Sequence, residues 1–370
     1  MKITMRERRS PTLHDFPYRG EGRKCYHKWI VNVTPPGKEQ CLHACLYCYA
    51  RDAVYSRRHE EGMVVYTNLA SVVERELSRL ELCPPISISN VTDPCQEVPQ
   101  LRRAVKELVG VLVAWGASFH VITKGDPSFL EEVPGFPGPG RFFLAVTVEG
   151  PPEVLDILSP QAPAYGQRLA ALRWAASRGL PALVRLDPVI PPLWRALYGE
   201  EWMERAWDLL KDCASVGAAH VVGSTGRLTR STLARLRELA RGLSARGAAA
   251  LARDYAYDRS YTSGGYMLRH PLRLDFHLAM RAAACELGMT YAVCQELSAD
   301  EADTPGLPHC EAFAMPFSRR VGPGELAPIP GCTANCHATC PDLDAPPCGR
   351  PELAVPRPYR PSFLKMRAGP

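Results

Sequence analysis

Three cysteines stand close together near the front of the chain, in the stretch Cys41-Leu-His-Ala-Cys45-Leu-Tyr47-Cys48. Thiolates spaced this way on a short loop bind three irons of a cubane iron–sulfur cluster. A cubane with three protein ligands leaves one iron open to an outside ligand, whereas a four-cysteine site is normally closed. The spacing therefore predicts a [4Fe-4S] centre that can bind a second molecule.

The alternatives are that these cysteines bind zinc or that they are ordinary buried residues without a ligand. Zinc–thiolate sites usually combine two cysteine pairs, or a cysteine pair with a histidine pair. His43 lies inside the loop, but its neighbours lack zinc-finger spacing. The cluster is favoured and zinc stays open as the alternative.

The segment CLHACLYCYA resembles the cluster loop of the radical S-adenosylmethionine (SAM) superfamily, in which an aromatic residue precedes the last cysteine. Three further segments, Ser89–Pro94, Ile122–Lys124 and Arg168–Pro191, resemble the spore photoproduct lyase-like group, also labelled DNA repair photolyase-like. The resemblance runs over about residues 25–295. It implies that SAM binds the open iron and is cleaved reductively to a 5′-deoxyadenosyl radical. That radical takes hydrogen from a macromolecular substrate, with nucleic acid favoured, and a flavodoxin or ferredoxin supplies the electron.

The resemblance also suggests roles for individual residues. Cys41, Cys45 and Cys48 are the expected cluster ligands, and Tyr49 is the expected hydrogen-atom relay near the SAM pocket. Lys124 is a candidate to neutralise the SAM carboxylate. The other candidate SAM-binding residues are polar or aromatic groups on the loop or near strand ends, namely Tyr47, Asn90, Thr92, Thr147 and Arg185, the last sharing a strand face with Asp187.

One position departs from the lyase pattern. The lyase carries a hydrogen-donor cysteine where this chain has Asn90 or Val91, and the nearest thiol here is Cys95. Cys95 serves as a catalytic donor only if the loop is wound differently, so thymine-dimer repair does not carry over with the radical chemistry.

A second group of cysteines lies near the end of the chain. Cys332, Cys336 and Cys340 are four residues apart, with Cys348 after them and Cys294 and Cys310 before them. Four converging thiolates indicate a metal, because otherwise their burial has a large desolvation cost. An auxiliary iron–sulfur cluster is favoured over zinc, with Cys310, Cys332, Cys336 and Cys340 as the first choice of ligands. Such a cluster also fits a peptide- or protein-modifying radical SAM enzyme.

Composition sets the remaining bounds. The 370 residues are 46% hydrophobic and 22% charged, with a net charge of +5 that permits a nucleic-acid partner without requiring one. The sequence contains no run of about 18 apolar residues, so no membrane span is predicted. Met1 to Arg9 lack the apolar stretch of a secretory signal.

The location and the use of the cysteines follow from these bounds. We expect a cytoplasmic protein whose fourteen cysteines serve metal binding or catalysis rather than disulfides. A non-catalytic binding protein stapled by zinc is the competing interpretation.

The elements that must position these residues alternate along the chain. Apolar runs predict strands near residues 29–33, 86–90, 119–124, 141–148, 182–187 and 218–222, with helices between them, then a helix at 275–287 and a strand at 291–294. Strict alternation is typical of parallel βαβ units. We therefore expect an α/β fold, a partial (β/α)6 TIM-like barrel of the radical SAM type over residues 25–295. A solvated basic N-terminal arm (1–24) precedes it, and a Cys-rich, Pro-rich C-terminal extension (296–370) follows, the latter binding a second metal centre.

Overall fold

The computed structural model describes residues 2–15, 25–51, 61–136, 140–259, 264–313, 315–341, 343–354 and 364–366. The strands in these ranges are β1 Ile3–Arg6, β2 His14–Asp15, β3 Trp29–Val31, β4 Met63–Tyr66, β5 Leu82–Cys83, β6 Ile86–Ile88, β7 Phe119–Thr123, β8 Phe142–Thr147, β9 Ala182–Leu186, β10 His220–Gly223, β11 Tyr255–Asp258, β12 Gly265–Leu268, β13 Thr290–Val293, β14 Ser318–Gly322 and β15 Glu325–Pro328. The helices are α1 Leu69–Leu77, α2 Pro99–Trp115, α3 Pro152–Leu158, α4 Tyr165–Ala176, α5 Pro191–Tyr198, α6 Trp202–Ser215, α7 Arg230–Leu243, α8 Ala245–Asp254, α9 His270–Glu286, α10 Ala299–Ala302 and α11 Cys336–Thr339. None of these helices has the length and apolar content that a membrane crossing needs.

A central sheet organises the molecule. Its strand order is β13-β10-β9-β8-β7-β6-β3-β2, and every neighbouring pair is parallel except β2 with β3. The predicted alternation of strands and helices is confirmed, and the predicted strand near residue 291 completes the sheet as β13. The fold is mixed α/β with a mostly parallel sheet. The curvature of a partial barrel stays a prediction.

Helix α2 shows why one face of this sheet is covered. Its buried residues Leu101, Val105, Leu108 and Leu112 recur at helical spacing and form one apolar stripe. Pro99 starts the helix and Gly116 ends it in the left-handed conformation, with φ of 71°. A Cβ at Gly116 would lie 2.4 Å from the carbonyl oxygen of Leu326, so glycine also allows β15 to approach closely.

The other face carries polar side chains and is contacted by residues 25–28 and 309–313. His120 of β7 stacks on Phe143 of β8, and the Tyr26 hydroxyl lies 2.9 Å from Nδ1 of His120. Nε2 of His220, in β10, lies 2.9 Å from the carbonyl oxygen of Cys310. The C-terminal extension therefore packs directly on the sheet.

Several local predictions differ from the structure. Residues 3–6 form β1, which pairs in parallel with β4, so this part of the expected solvated arm is ordered; residues 16–24 lie outside the described residues. Asn68 directly precedes α1, where a helix cap would stand, but its side chain hydrogen-bonds the backbone of Arg8. Two helices, α7 and α8, and the hairpin β11–β12 follow β10. The C-terminal extension contains the hairpin β14–β15, which adds to β5.

Candidate metal and cofactor site

The loop that carries Cys41, Cys45 and Cys48 follows β3 at the carboxyl edge of the parallel strands. Because the strands are parallel, the segments that follow β6, β7 and β8 lie at the same edge, where open α/β sheets bind ligands. The loop is thus placed beside Asn90, Thr92 and Lys124, as the sequence predicts for one shared site.

Contacts from three separate segments fix the backbone of this loop. The Leu42 amide donates to Oε1 of Gln96 at 2.6 Å, and the Leu46 amide donates to the carbonyl oxygen of Leu158 at 2.8 Å. Arg235 of α7 donates to the carbonyl oxygen of Leu46 at 3.2 and 3.3 Å. Ala44 has a φ of 48°, which turns the chain between Cys41 and Cys45. The thiols therefore sit on a rigid turn.

The three thiols differ in exposure. Cys45 is buried, while Cys41 and Cys48 are half-buried, and all fourteen cysteines of the chain are described and outside disulfides. Burial raises the pKa of Cys41 to about 12, and Asp93 adds to the rise. Burial also raises the pKa of Cys45 to about 11, against the lowering effect of Lys124. Metal binding at these thiols must release their protons.

No three Cys, His, Asp or Glu side chains among the described residues converge closely enough to hold a single metal ion. In a cubane, each thiolate binds a different iron, so the ligands of a cluster stand further apart than those of one ion. The arrangement is compatible with a cluster.

Asp93 joins the segments around the loop. Its carboxylate accepts from the Thr123 hydroxyl at 2.6 Å, from the Lys124 amide at 2.6 Å and from the Cys95 amide at 2.8 Å. Nδ1 of His43 lies 3.4 Å from the same carboxylate, and burial lowers the pKa of His43. Sequence reasoning missed this role, although Asp93 directly follows the polar end of a predicted strand.

A buried ion pair lies beneath Tyr47. Glu149 accepts from the Tyr47 hydroxyl at 2.9 Å, from the Ser159 hydroxyl at 2.6 Å and from Arg168 at 2.5 Å, and both charged residues are inaccessible to solvent. Burial alone would raise the pKa of Glu149, but Lys124 and Arg168 outweigh it and lower the pKa. Sequence reasoning did not identify this pair.

Lys124 lies at the end of β7 with its ammonium group 5.6 Å from the centre of the Tyr47 ring. Burial would lower the pKa of Lys124, but Glu149 and Cys45 outweigh it and raise the pKa. Lys124 is thus a fixed positive charge beside the cysteine loop.

The remaining hydroxyl and amide candidates lie at neighbouring strand ends. The Thr92 hydroxyl is 2.6 Å from that of Thr34 and 2.9 Å from that of Ser89. The Tyr49 hydroxyl donates to the carbonyl oxygen of Asn90 at 2.9 Å, and the Tyr49 side chain is 48% exposed. Thr147 ends β8 and its carbonyl oxygen accepts from Arg168 at 3.2 Å.

Comparison with solved structures shows which known fold this chain resembles. A double mutant of spore photoproduct lyase with bound AdoMet and dinucleoside spore photoproduct matches with a TM-score of 0.57 at 15% identity, covering 79% of this chain and 81% of that chain. Spore photoproduct lyase complexed with dinucleoside spore photoproduct matches with a TM-score of 0.55 at 14% identity, covering 79% and 82%. The chain has the fold of spore photoproduct lyase.

Sequence comparison adds relatives of unassigned function. Uncharacterized proteins of Mycobacterium bovis and Mycobacterium tuberculosis are 29% identical over 212 residues, which is 52% of this chain and 60% of theirs. The chain therefore spans less than two thirds of the length of these curated relatives. No protein-family model matches the chain.

Two of the other predicted site residues, Cys95 and Arg185, have contacts of their own on this spore photoproduct lyase fold. Cys95 is fully buried in the hydrophobic core, and burial raises its pKa well above the usual value. Arg185 forms ion pairs with Asp187 and with Glu311, and its guanidinium lies 3.7 Å from the thiol of Cys294. A donor role for Cys95 and a SAM contact for Arg185 stay predictions.

The C-terminal cysteines separate into two groups on the same fold. The thiol of Cys310 lies 3.6 Å from that of Cys25, against the polar face of the sheet. Cys332, Cys336, Cys340 and Cys348 are close enough to one another to act electrostatically on their neighbours. Of the predicted ligands, Cys310 contacts the N-terminal segment, and the ligand set of a second metal centre stays a prediction.

Proposed function

We propose that this chain is a radical SAM enzyme in which Cys41, Cys45 and Cys48 hold a [4Fe-4S] cluster, and that its substrate is a nucleic acid. The observation that carries the proposal is a rigid three-thiol turn at the carboxyl edge of the sheet, with a fixed lysine beside it. The likeness in fold to spore photoproduct lyase supports the same reading.

The donor set fits a cubane with one open iron. Three thiol sulfurs are the ligands such clusters prefer. The nearby carboxylates are already engaged: Asp93 accepts from Thr123 and Lys124, and Glu149 from Tyr47 and Arg168. Neither is available as a fourth ligand, which leaves one coordination site for a molecule from outside.

When bound together, the cluster and SAM supply one-electron cleavage of the sulfonium to a 5′-deoxyadenosyl radical. The chain's own residues orient and shield this chemistry. Lys124 provides the positive charge that pairs with a carboxylate, and Asp93 holds the Lys124 backbone amide in place. The Tyr47 ring, fixed by its hydrogen bond to Glu149, forms an apolar wall that excludes water beside Cys45.

An aromatic and basic hairpin favours a nucleic-acid substrate. Tyr257 in β11 is 56% exposed and its ring centre is 5.5 Å from that of Tyr266 in β12. Arg259 and Arg269, both exposed, directly follow the two strands of the hairpin, and the exposed Arg227 lies against Gly265 of β12. Exposed aromatic rings stack on bases, and arginines bind phosphates.

The hairpin is attached near the cysteine loop. Leu228, in the segment that follows β10 at the carboxyl edge, bridges to Tyr266, and the Tyr255 hydroxyl donates to the Thr225 carbonyl oxygen at 2.6 Å. The next helix, α7, contacts Leu46 through Arg235. These contacts support a nucleic-acid site on the same edge of the sheet as the cysteine loop.

The test is anaerobic purification followed by iron and sulfide analysis and a dithionite-driven assay for 5′-deoxyadenosine. We expect brown protein that forms 5′-deoxyadenosine from SAM, and a Cys41→Ala variant with activity at least about 100-fold lower. The matched control is Cys285→Ala, which changes an exposed cysteine and is expected to behave as wild type. Protein that holds zinc alone at these cysteines, or an intact reduced cluster that leaves SAM uncleaved, contradicts the proposal.

A further inference from the structure

The four cysteines near the end of the chain form a compact group that the proposed function does not use. Cys336 begins α11 and Cys340 directly follows its last residue, so the two cysteines stand at opposite ends of one helical turn. Gly331 and Ala334 take positive φ values of 73° and 57°, which fold Cys332 back toward α11. Burial raises the pKa of Cys336, and Cys332, Cys348 and Cys340 each raise it further.

Contacts with distant segments hold this group in place. The His27 amide donates to the carbonyl oxygen of Ala334 at 2.8 Å, and the side chain of Asn335 donates to the carbonyl oxygen of Pro308. Arg319 of β14 donates to the carbonyl oxygen of Cys348 at 2.9 Å. The cysteines are thus anchored to the N-terminal segment and to the β14–β15 hairpin.

The segment has little else to stabilise it. Between residues 331 and 354, the described part contains one turn of α-helix and a 3-10 turn at Pro351–Leu353. Cys336 and Cys348 are buried, whereas Cys332 and Cys340 are half-buried. A short segment without its own core is commonly folded by a bound metal centre.

The number and kind of the side chains in this group favour a cluster. Four thiols from one short segment supply one ligand for each iron of a cubane. We propose that Cys332, Cys336, Cys340 and Cys348 bind a second iron–sulfur cluster, with all four of its irons held by protein thiolates.

This ligand set has a functional consequence. A cluster with four thiolate ligands has no open iron, so it does not bind SAM or substrate. The cluster holds the C-terminal extension in place on the sheet, and it is able to carry one electron. The inference goes beyond the proposed function, because it holds whether or not the first site cleaves SAM.

Iron content tests the proposal on the full chain purified anaerobically. We expect about 8 irons per chain in the wild type, for two cubanes, and about 4 in the double variant Cys336→Ser with Cys348→Ser, which keeps only two of the four thiolates. The matched controls are Cys285→Ser, an exposed cysteine, and Cys310→Ser, a buried cysteine outside the group. Both are expected to keep the wild-type iron content.

A second variant separates this site from the first. When Cys41, Cys45 and Cys48 are all changed to alanine, the chain should keep about 4 irons and the electron paramagnetic resonance signal of a reduced cubane. That readout remains valid if the double variant fails to fold. Absence of iron from the triple variant, or zinc in its place, overturns the proposal. Iron loss in Cys310→Ser equal to that in the double variant overturns the ligand set.

Discussion

Asp93 connects more of the candidate site than any residue whose role the sequence predicted. Its two carboxylate oxygens receive hydrogen bonds from Thr123, Lys124 and Cys95 and face His43. The carboxylate is only 7% exposed, so each of these donors depends on it rather than on water.

Replacing Asp93 by asparagine tests this role. The amide nitrogen of Asp93→Asn is a donor and would face the Lys124 amide or the Thr123 hydroxyl, leaving one buried donor without an acceptor. We expect the free energy of unfolding to fall by about 1–3 kcal/mol, measured by urea denaturation. The control is Asp156→Asn on the exposed face of α3, which should change stability by less than about 0.5 kcal/mol. A similar loss in both variants would falsify the organising role.

The residues around the loop differ in how far the sequence predicts them. Cys41, Cys45 and Cys48 were identifiable from spacing alone, because neighbouring thiols on one turn carry their own signal. Glu149 and Arg168 lie 19 residues apart and meet only after α4 packs on β8 and β9. The sequence shows neither that Glu149 and Arg168 are buried nor that they form a pair.

At the scale of elements, Glu296 holds the segment that follows β10. Its carboxylate accepts from the Thr225 and Gly226 amides, both at 2.9 Å, and from the hydroxyls of Ser224 and Thr225. Nε2 of His277 in α9 lies 3.3 Å away. This segment contacts the β11–β12 hairpin through the Tyr255 hydroxyl and the Leu228–Tyr266 bridge, so Glu296 also fixes the base of the hairpin.

The same carboxylate makes stability depend on pH. Burial would raise the pKa of Glu296, but His277 and the hydroxyls of Ser224 and Thr225 outweigh it and lower the pKa from 4.5 to about 2. The unfolded chain takes up this proton at a higher pH than the folded chain. The stabilisation is therefore complete above about pH 4.5 and is lost as the pH falls toward 2.

We expect Glu296→Gln to be less stable than wild type by on the order of 3 kcal/mol above pH 5, with the difference shrinking as the pH falls. Urea denaturation of the apoprotein at several pH values between 5 and about 2.5 measures the difference. Glu97→Gln, at an exposed site, is the control and should show no such trend. A difference that is constant with pH contradicts the low pKa.

The β11–β12 hairpin makes the substrate class testable. Loss of base stacking in Tyr257→Ala is expected to weaken single-stranded oligonucleotide binding by about 1–3 kcal/mol. Arg259→Ala should reduce the slope of log affinity against log salt by about 1. Fluorescence anisotropy over a range of salt concentrations measures both effects, and 5′-deoxyadenosine formation without substrate should stay unchanged.

Arg205→Ala is the control for the hairpin variants, because Arg205 lies half-exposed on α6, outside the hairpin. Oligonucleotide binding that is equal in all three variants contradicts the nucleic-acid assignment. It would favour a peptide or protein substrate instead.

The elements that the sequence predicted are those with strong apolar periodicity. The parallel strands and the helices between them carry such patterns, and their order determines the sheet. The short strands β1, β4, β11 and β12 were missed, because their pairing depends on partners elsewhere in the fold. Asn68 has the residue type of a helix cap, but its amide binds the backbone of Arg8.

At the scale of the whole molecule, a buried ion pair ties the N-terminal segment to the C-terminal extension. The Lys28 ammonium lies 3.0 and 3.1 Å from the two carboxylate oxygens of Glu311, and both side chains are at most 4% exposed. Burial would raise the pKa of Glu311, but Lys28, His120 and Arg185 outweigh it and keep the carboxyl group ionised.

Removing one charge should cost more than removing both. We expect Glu311→Gln to lose about 3–5 kcal/mol of stability, because Lys28 is left buried without its counter-charge. The double variant Lys28→Met with Glu311→Leu should be closer to wild type, since apolar groups replace the whole pair. Thermal and urea denaturation measure both.

The control is Glu132→Gln, which breaks the exposed pair of Lys106 with Glu132 and should cost less than about 1 kcal/mol. A double variant that is less stable than Glu311→Gln contradicts the account. The sequence could not predict the Lys28–Glu311 pair, because its residues are 283 positions apart and nothing local marks them as partners.

This distance also sets an order of events during protein synthesis. A nascent chain that has been translated as far as β13 already holds every parallel strand, yet Lys28 still waits for Glu311 to leave the ribosome. Until then, residues 309–313 do not yet cover the polar face of the sheet, and that face stays exposed to water. The C-terminal extension therefore packs on the sheet only in the last stage of translation. The cysteine turn that follows β3 has left the ribosome long before.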